Sequence, residues 1–197
     1  MRHKIQRNSG MVFGLWLAAT CAPPLHAEED YGVAAMRLQQ YSLSLLVGQV
    51  ADDFTAGLDL TSNYRPIEEM PGVFVALRYR ANLAIMRTVN KLENTVKSFP
   101  YNFHRLGITS TSQPHKTYRM YVDGDVLLCY PNKYFSEYYA LGAYFGAGIE
   151  LYTNLLNNSA YYVEGGYYVS DGLAENVKGS PKYMNGGGMV LGWRYFL

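Results

Sequence analysis

The charged residues of this 197-residue chain are spaced in a way that could do chemistry. Arg78 and Arg80, and Asp123 and Asp125, stand two residues apart inside otherwise apolar stretches. Asp59, Arg119, Glu150, Glu164 and Arg194 stand singly in similar stretches. A spacing of two places side chains on the same face of a strand. Paired carboxylates on one face can act as general acid and base, and they also serve as ion-pair partners. Four cations and five anions nearly cancel, as charges taken out of water must. The set therefore reads as a paired ionic core, with a narrow polar path and an acid/base site as alternatives. No Cys/His cluster has metal-ligand spacing. Asn185-Gly186-Gly187-Gly188 opens a strand, not a helix, so it lacks the helix end that a phosphate loop needs. No cofactor is expected.

The elements that must position these charges are strands of alternating character. In Tyr138–Tyr152, the residues Tyr139, Leu141, Ala143, Phe145, Ala147, Ile149 and Leu151 form one face, and Gly142, Tyr144, Gly146, Gly148 and Glu150 belong to the other. Ser159–Ser170 repeats the pattern, with Tyr161, Val163, Gly165, Tyr167 and Val169 opposite Tyr162, Glu164, Gly166 and Tyr168. Similar alternation runs through residues 40–47, 54–61, 73–84 and 118–129, and a broken version through 101–109, after Pro100. The chain closes on Met189, Leu191, Trp193, Tyr195 and Leu197, alternating with Gly188, Val190, Gly192, Arg194 and Phe196. Eight strands with one continuous apolar face and a small, polar opposite face predict an all-β fold. The specific expectation is an eight-stranded antiparallel transmembrane up-and-down β-barrel with its charges inside.

With both ends on one side, longer loops are expected near Gly48–Asp53, Arg87–Pro100, Pro131–Glu137 and Asp171–Tyr183. Turns are expected near Asn63–Pro71, Ser110–Thr117 and Thr153–Asn158. Arg87–Phe99 is rich in helix formers and is expected to carry a helical turn or two. Arg87, Lys91 and Lys97 against Glu93 make this loop a candidate contact for surface phosphates, or simply a solvated loop.

Residues 1–27 read as a secretory signal: Arg2, Lys4 and Arg7, then the apolar run Met11–Ala19, then a small residue at Ala27. Residues 28–197 are then the barrel, with 14 Lys+Arg against 16 Asp+Glu and one cysteine, Cys129. That balance gives no basic footprint for nucleic acid, and one thiol permits no internal disulfide. Nineteen tyrosines and nineteen glycines suit a small barrel, since Tyr favours strands and interfaces and Gly makes room inside. No run of 18 apolar residues exists for a spanning helix.

The ending Gly192-Trp193-Arg194-Tyr195-Phe196-Leu197 resembles the C-terminal signal of bacterial outer-membrane barrels, with Leu197 where an aromatic is usual. That resemblance implies that Trp193, Tyr195 and Leu197 are read by the barrel assembly machinery. The chain as a whole resembles the small outer-membrane barrels of the OmpX, OmpW and YfaZ-like group, and Gly166–Ala174 is similar to the penultimate strand and loop of the YfaZ-like proteins. The resemblance implies a Gram-negative outer membrane, a monomer, and contact with the lipid bilayer and lipopolysaccharide. The implied role is structural or surface-interacting, or passage of small solutes, and not catalysis. Two rivals remain: a lipid-modifying enzyme and a soluble periplasmic carrier. His104 and His115 do not sit in the His-x-Ser arrangement of lipid A deacylases, since Arg105-Leu106 and Lys116-Thr117 follow them.

Overall fold

The computed structural model describes residues 36–89, 96–112, 114–115, 117–132, 134, 136–152, 158–177 and 179–197. The signal reading of residues 1–27, the charges Lys91 and Glu93, and most of the Thr153–Asn158 turn lie outside them. Nine strands form one sheet: β1 (Ser42–Val50), β2 (Asp53–Thr61), β3 (Arg65–Ile67), β4 (Met70–Val89), β5 (Val96–Ser112), β6 (Tyr118–Cys129), β7 (Ala140–Tyr152), β8 (Ser159–Ser170) and β9 (Gly186–Phe196). All pairings are antiparallel. The β2–β4 and β1–β9 pairings close eight of the strands into a barrel, and β3 is a short extra strand on the lower part of β4.

Register partners step from Ser42 through Thr61, Arg78, Gly107, Asp125, Tyr144 and Tyr168 to Gly186. The β9–β1 register, continued by two residues, then brings the path to Asp52, ten residues along from its start. That stagger tilts the strands by about 40° to the barrel axis and leaves an interior that side chains can fill.

The alternation read in the sequence becomes an inside and an outside. Leu45, Leu58, Leu77, Ile108, Val122, Phe145, Val163 and Leu191, one from each ring strand, are all exposed on the outer face. Exposed apolar surface running round a whole domain far exceeds the few hundred Å² a water-soluble monomer presents. The charged and aromatic residues of opposite parity are buried.

Tyrosine and glycine are paired across this interior. The Tyr121 ring lies over Gly148, its register partner, and the Tyr162 ring lies over Gly192, also its partner. A Cβ on either glycine would collide with the ring. The glycines are thus the slots into which lumen aromatics lie flat, which explains why both residue types are abundant.

Several boundaries differ from the sequence expectation. The loop expected over Gly48–Asp53 shrinks to a turn at Ala51 and Asp52, with Ala51 at φ 52° and its N–H donated to the Gly187 carbonyl. Asn63–Pro71 is not a plain turn, because β3 folds back onto β4 there. Of the Arg87–Phe99 stretch expected to carry a helical turn, 87–89 belong to β4 and 96–99 to β5, where cross-strand pairing overrides local helix propensity, and 90–95 lie outside the described residues. Pro100 does not precede β5 but lies within it, opposite Ile85. The Asn102 carbonyl accepts the Tyr130 N–H and the Pro100 carbonyl accepts the Asn132 side-chain amide. Pro100 therefore faces the side where β6 has ended, and its missing N–H costs no ladder bond.

Gly192→Ala is expected to destabilise the barrel by about 1–3 kcal/mol, because the Tyr162 ring must leave its slot. Gly165→Ala on the outer face, where the nearest atom is the Gly188 carbonyl oxygen at 3.9 Å, is expected to be tolerated. Unfolding midpoints of the two variants, followed by gel mobility on heating, check the contrast.

Candidate functional site

The interior charges form one connected ionic column. Glu164 on β8 is its hub. It accepts hydrogen bonds from Arg80 Nη1 and Nη2, both at 2.8 Å, and from the hydroxyls of Tyr144 at 2.9 Å and Tyr121 at 3.2 Å. Arg78 Nη1 stands 2.8 Å from the same carboxylate and donates to Asp123 at 2.5 Å. Asp59 on β2 takes Arg78 Nε at 2.7 Å, a second contact from the same guanidinium, and Arg80 Nη2 at 2.9 Å.

Towards the end of the barrel that carries the termini, Glu150 accepts from Arg119 Nη2 at 2.9 Å and from Arg194 Nη1 at 2.5 Å. Arg194 Nε also donates to Ser44 Oγ at 3.1 Å. Towards the loop end, Asp125 accepts from Arg105 Nε at 2.6 Å. The nine charges singled out in the sequence are thus all buried in the lumen, and every one contacts an opposite charge.

Arg105 is the member that sequence reading did not find. It is buried at 1% exposure and bonds to Asp125, Glu164 and the Tyr168 hydroxyl. With it, five arginines meet five carboxylates. The available signal was parity: Tyr101, Phe103, Arg105, Gly107 and Thr109 share one face of β5. It was masked because Asn102 and His104 break the apolar character of the opposite face.

The guanidinium groups also lie over rings. Arg105 sits 3.5 Å from the Tyr144 centroid, Arg119 4.5 Å from Tyr64, Arg194 4.9 Å from Tyr162, and Arg78 5.3 Å from Tyr121. In a buried site, this attraction adds to the carboxylate contacts.

Buried side chains pack at both ends of the lumen. At the loop end, residues 171–177 and 179–185 bury Ala174, Val177, Tyr183 and Met184 against Tyr101, Phe103, Cys129 and Ala140. The base of this plug is fastened where Asn185 and Ser170 exchange hydrogen bonds, Nδ2 to the Ser170 carbonyl at 2.9 Å and the Ser170 N–H to Oδ1 at 3.2 Å. Burial holds the Tyr183 hydroxyl above its ordinary titration range, so the plug stays uncharged at that position. At the other end, Leu38 packs with Tyr64 and Ala76, and the Arg37 guanidinium covers the Tyr152 ring at 4.3 Å.

The two histidines among the described residues are outside the lumen. His104 faces outward on β5, its Nδ1 2.6 Å from the Tyr79 hydroxyl. His115 stacks on Tyr118 beyond the opposite mouth, at a centroid distance of 4.8 Å. Trp193, Tyr195 and Leu197 lie on the outer face of the closing strand β9, where Leu197 N–H bonds to the Tyr41 carbonyl.

The molecule is a closed eight-stranded antiparallel β-barrel with an ionic core. No protein-family model matches the sequence, and no curated protein matches it. Among solved structures, the N-terminal β-barrel domain of Pseudomonas aeruginosa OprF aligns at a TM-score of 0.49 and 13% identity, over 81% of this chain and 98% of that one. The NanC porin aligns at a TM-score of 0.33 and 11% identity, over 80% of this chain and 72% of that one.

Removing one partner of a buried pair costs about 3–5 kcal/mol. Arg105→Leu is expected to destabilise by that order, because Asp125 loses its bonded cation. Asp125→Leu in the same chain is expected to recover a large part of the loss. A double-mutant cycle on unfolding midpoints reads the coupling, and additive effects would show that the two charges do not act together.

Proposed function

We propose that the protein is a non-catalytic outer-membrane β-barrel whose role is structural or surface-interacting. The observation that carries this reading is the pairing of a complete apolar outer belt with a fully buried, charge-balanced lumen. A belt of that kind seeks the hydrocarbon layer of a bilayer, and a closed barrel leaves no unpaired strand edge there. Tyr41, Tyr161 and Tyr195 stand exposed on the outer face near the end that carries the termini, and Tyr130, Tyr138 and Tyr139 near the loop end. They suit the two membrane–water interfaces.

The sealed interior favours a structural or surface role over solute passage. The central charges are committed to one another, and each mouth is packed. Hydrolysis of lipid is disfavoured by the placement of the two histidines, since His104 is held by Tyr79 and His115 lies beside Thr117 and Tyr118 at the opposite end. Trp193, Tyr195 and Leu197, at the end of the strand whose pairing with β1 closes the ring, support reading by the assembly machinery. The bilayer, with lipopolysaccharide on its outer surface, and that machinery are the partners this reading requires. The exposure of Arg87 towards the end of β4 supports contact with outer phosphates.

Fractionation of expressing cells is expected to place the folded chain with outer membranes, and its gel mobility should change on boiling. Recovery in the soluble periplasm without detergent would overturn the membrane reading. In planar bilayers the intact barrel should give no sustained conductance step; a stable step would overturn the sealed lumen. Deleting residues 195–197 should remove the folded form from membranes, because the β1–β9 seam loses its end.

A further inference from the structure

The outer face of β5 is polar where the rest of the wall is apolar. Asn102 and His104 face outward, level with Leu83 and Ala81 of β4. Outside the strand ladder, Asn102 accepts bonds only at its carbonyl, from the Tyr130 N–H and the Cys129 thiol. Its side-chain amide has no partner among the described residues. His104 uses Nδ1 on the Tyr79 hydroxyl at 2.6 Å, and its Nε2 has no partner among the described residues. The imidazole is held in place, stacked on Tyr79 at 5.7 Å and edge-on to Tyr130 at 5.1 Å. Arg87, outward on β4 opposite Ser98, is exposed and makes no ion pair among the described residues.

A polar group turned towards hydrocarbon without a partner is costly. On a wall that otherwise presents Leu77, Leu83, Leu106 and Ile108, these groups call for polar atoms from the lipid itself. We propose that this band seats one phosphorylated glycolipid, the lipid anchor of lipopolysaccharide, with Asn102 and His104 on its sugar amide and hydroxyl oxygens and Arg87 on a phosphate. The inference rests on the outer-membrane reading with the loop end outward.

The spacing selects the headgroup. Arg87 lies four residues beyond Leu83, the register partner of Asn102, which is about 13 Å along β4. A glycerophospholipid carries its phosphate beside its ester oxygens and does not reach both ends of the band. An extended amino-sugar headgroup does. The level agrees: Tyr130, against His104, is itself edge-on to Tyr139 at 5.6 Å, and exposed tyrosines of this kind mark the membrane–water interface. Phe54, Leu58 and Leu83 offer the acyl chains an apolar surface beside the band. One carboxylate opposes the phosphate. Asp52, exposed in the β1–β2 turn, comes level with Arg87 when the β2–β4 register is continued by two residues.

The test uses the full chain folded in a polyoxyethylene detergent. Diphosphoryl lipid A, its dephosphorylated form and phosphatidylglycerol are titrated, and retained lipid is counted by native mass spectrometry. One lipid A per barrel, held more tightly than either comparison lipid, is the expected result. Arg87→Gln should lower lipid A affinity roughly tenfold, as loss of a bond to a charged group implies, and leave the dephosphorylated form unchanged. Asn102→Leu should lower the affinity of both glycolipids roughly fivefold. Asp52→Asn should raise lipid A affinity.

Asn102→Leu takes an unpaired polar group off the wall, so the barrel still folds. Gel mobility on heating, without lipid A, should show an unfolding midpoint no lower than that of the parent chain. Either comparison lipid retained as tightly as lipid A, or lipid A affinity unchanged in both Arg87→Gln and Asn102→Leu, would overturn the proposal. Recovery of the chain in the soluble periplasm would overturn the membrane reading; a chain found in outer membranes that retains no lipid A overturns this inference alone.

Discussion

The structure depends on one constraint: ten charged side chains are held where water does not reach, inside a wall whose outer face is apolar. A buried ion costs several kcal/mol unless it is paired and its remaining donors and acceptors are used. The barrel pairs all ten charges by geometry, while several of their buried atoms, Arg80 Nε, Arg119 Nη1, Asp123 Oδ1 and Glu150 Oε1 among them, make no hydrogen bond. The tilt of the strands staggers residues of one parity into a rising spiral, so that Arg119, Glu150 and Arg194 near one mouth lead to Arg78, Asp59 and Glu164 and then to Arg105 and Asp125. No two neighbouring strands supply the whole set. Glu164 on β8 meets Arg78 and Arg80 on β4 from across the lumen, so the column couples opposite sides of the ring.

That coupling explains the rest of the interior. Arginine, with a planar group that bonds along its edge and attracts rings at its face, can be satisfied by carboxylates and tyrosines together. Tyr121, Tyr144, Tyr162 and Tyr168 need floor space, and Gly148, Gly146 with Gly166, Gly192 and Gly188 provide it. Besides the Leu46, Tyr121, Tyr162 and Val190 cluster within the column, larger apolar clusters lie at the two ends. The Tyr101, Phe103 and Leu127 side chains and the plug loop keep water from the column at one end, and the Leu38–Tyr64 cluster does so at the other.

The loop end is where this barrel departs from a simple cylinder. Residues 171–177 and 179–185 supply apolar side chains to the cluster at that end and polar ones to the outer surface, so one segment both seals the lumen and faces the exterior.

The fold was legible in the sequence because a β-barrel writes its two environments into alternate residues. From Met189 to Leu197 and from Tyr138 to Tyr152, parity alone separated the outer from the inner face, and the lumen positions of Asp59, Arg78, Arg80, Arg119, Asp123, Asp125, Glu150, Glu164 and Arg194 followed. Arg105 was not legible, since Asn102, His104 and Pro100 on the outward parity of β5 spoil the alternation by which a strand is recognised. The partners were not legible either. Pairing Arg105 with Asp125, or Glu164 with three arginines, depends on strand stagger and barrel closure, which no local spacing encodes. The plug was beyond reach for the same reason: Ala174, Val177 and Met184 look like ordinary loop residues until the closed ring offers them a mouth to fill. Sequence determined which side of the wall each strand residue faces, because the period of two is local. Tertiary structure decided who meets whom and whether the interior is open, because those follow from the stagger of eight strands taken together.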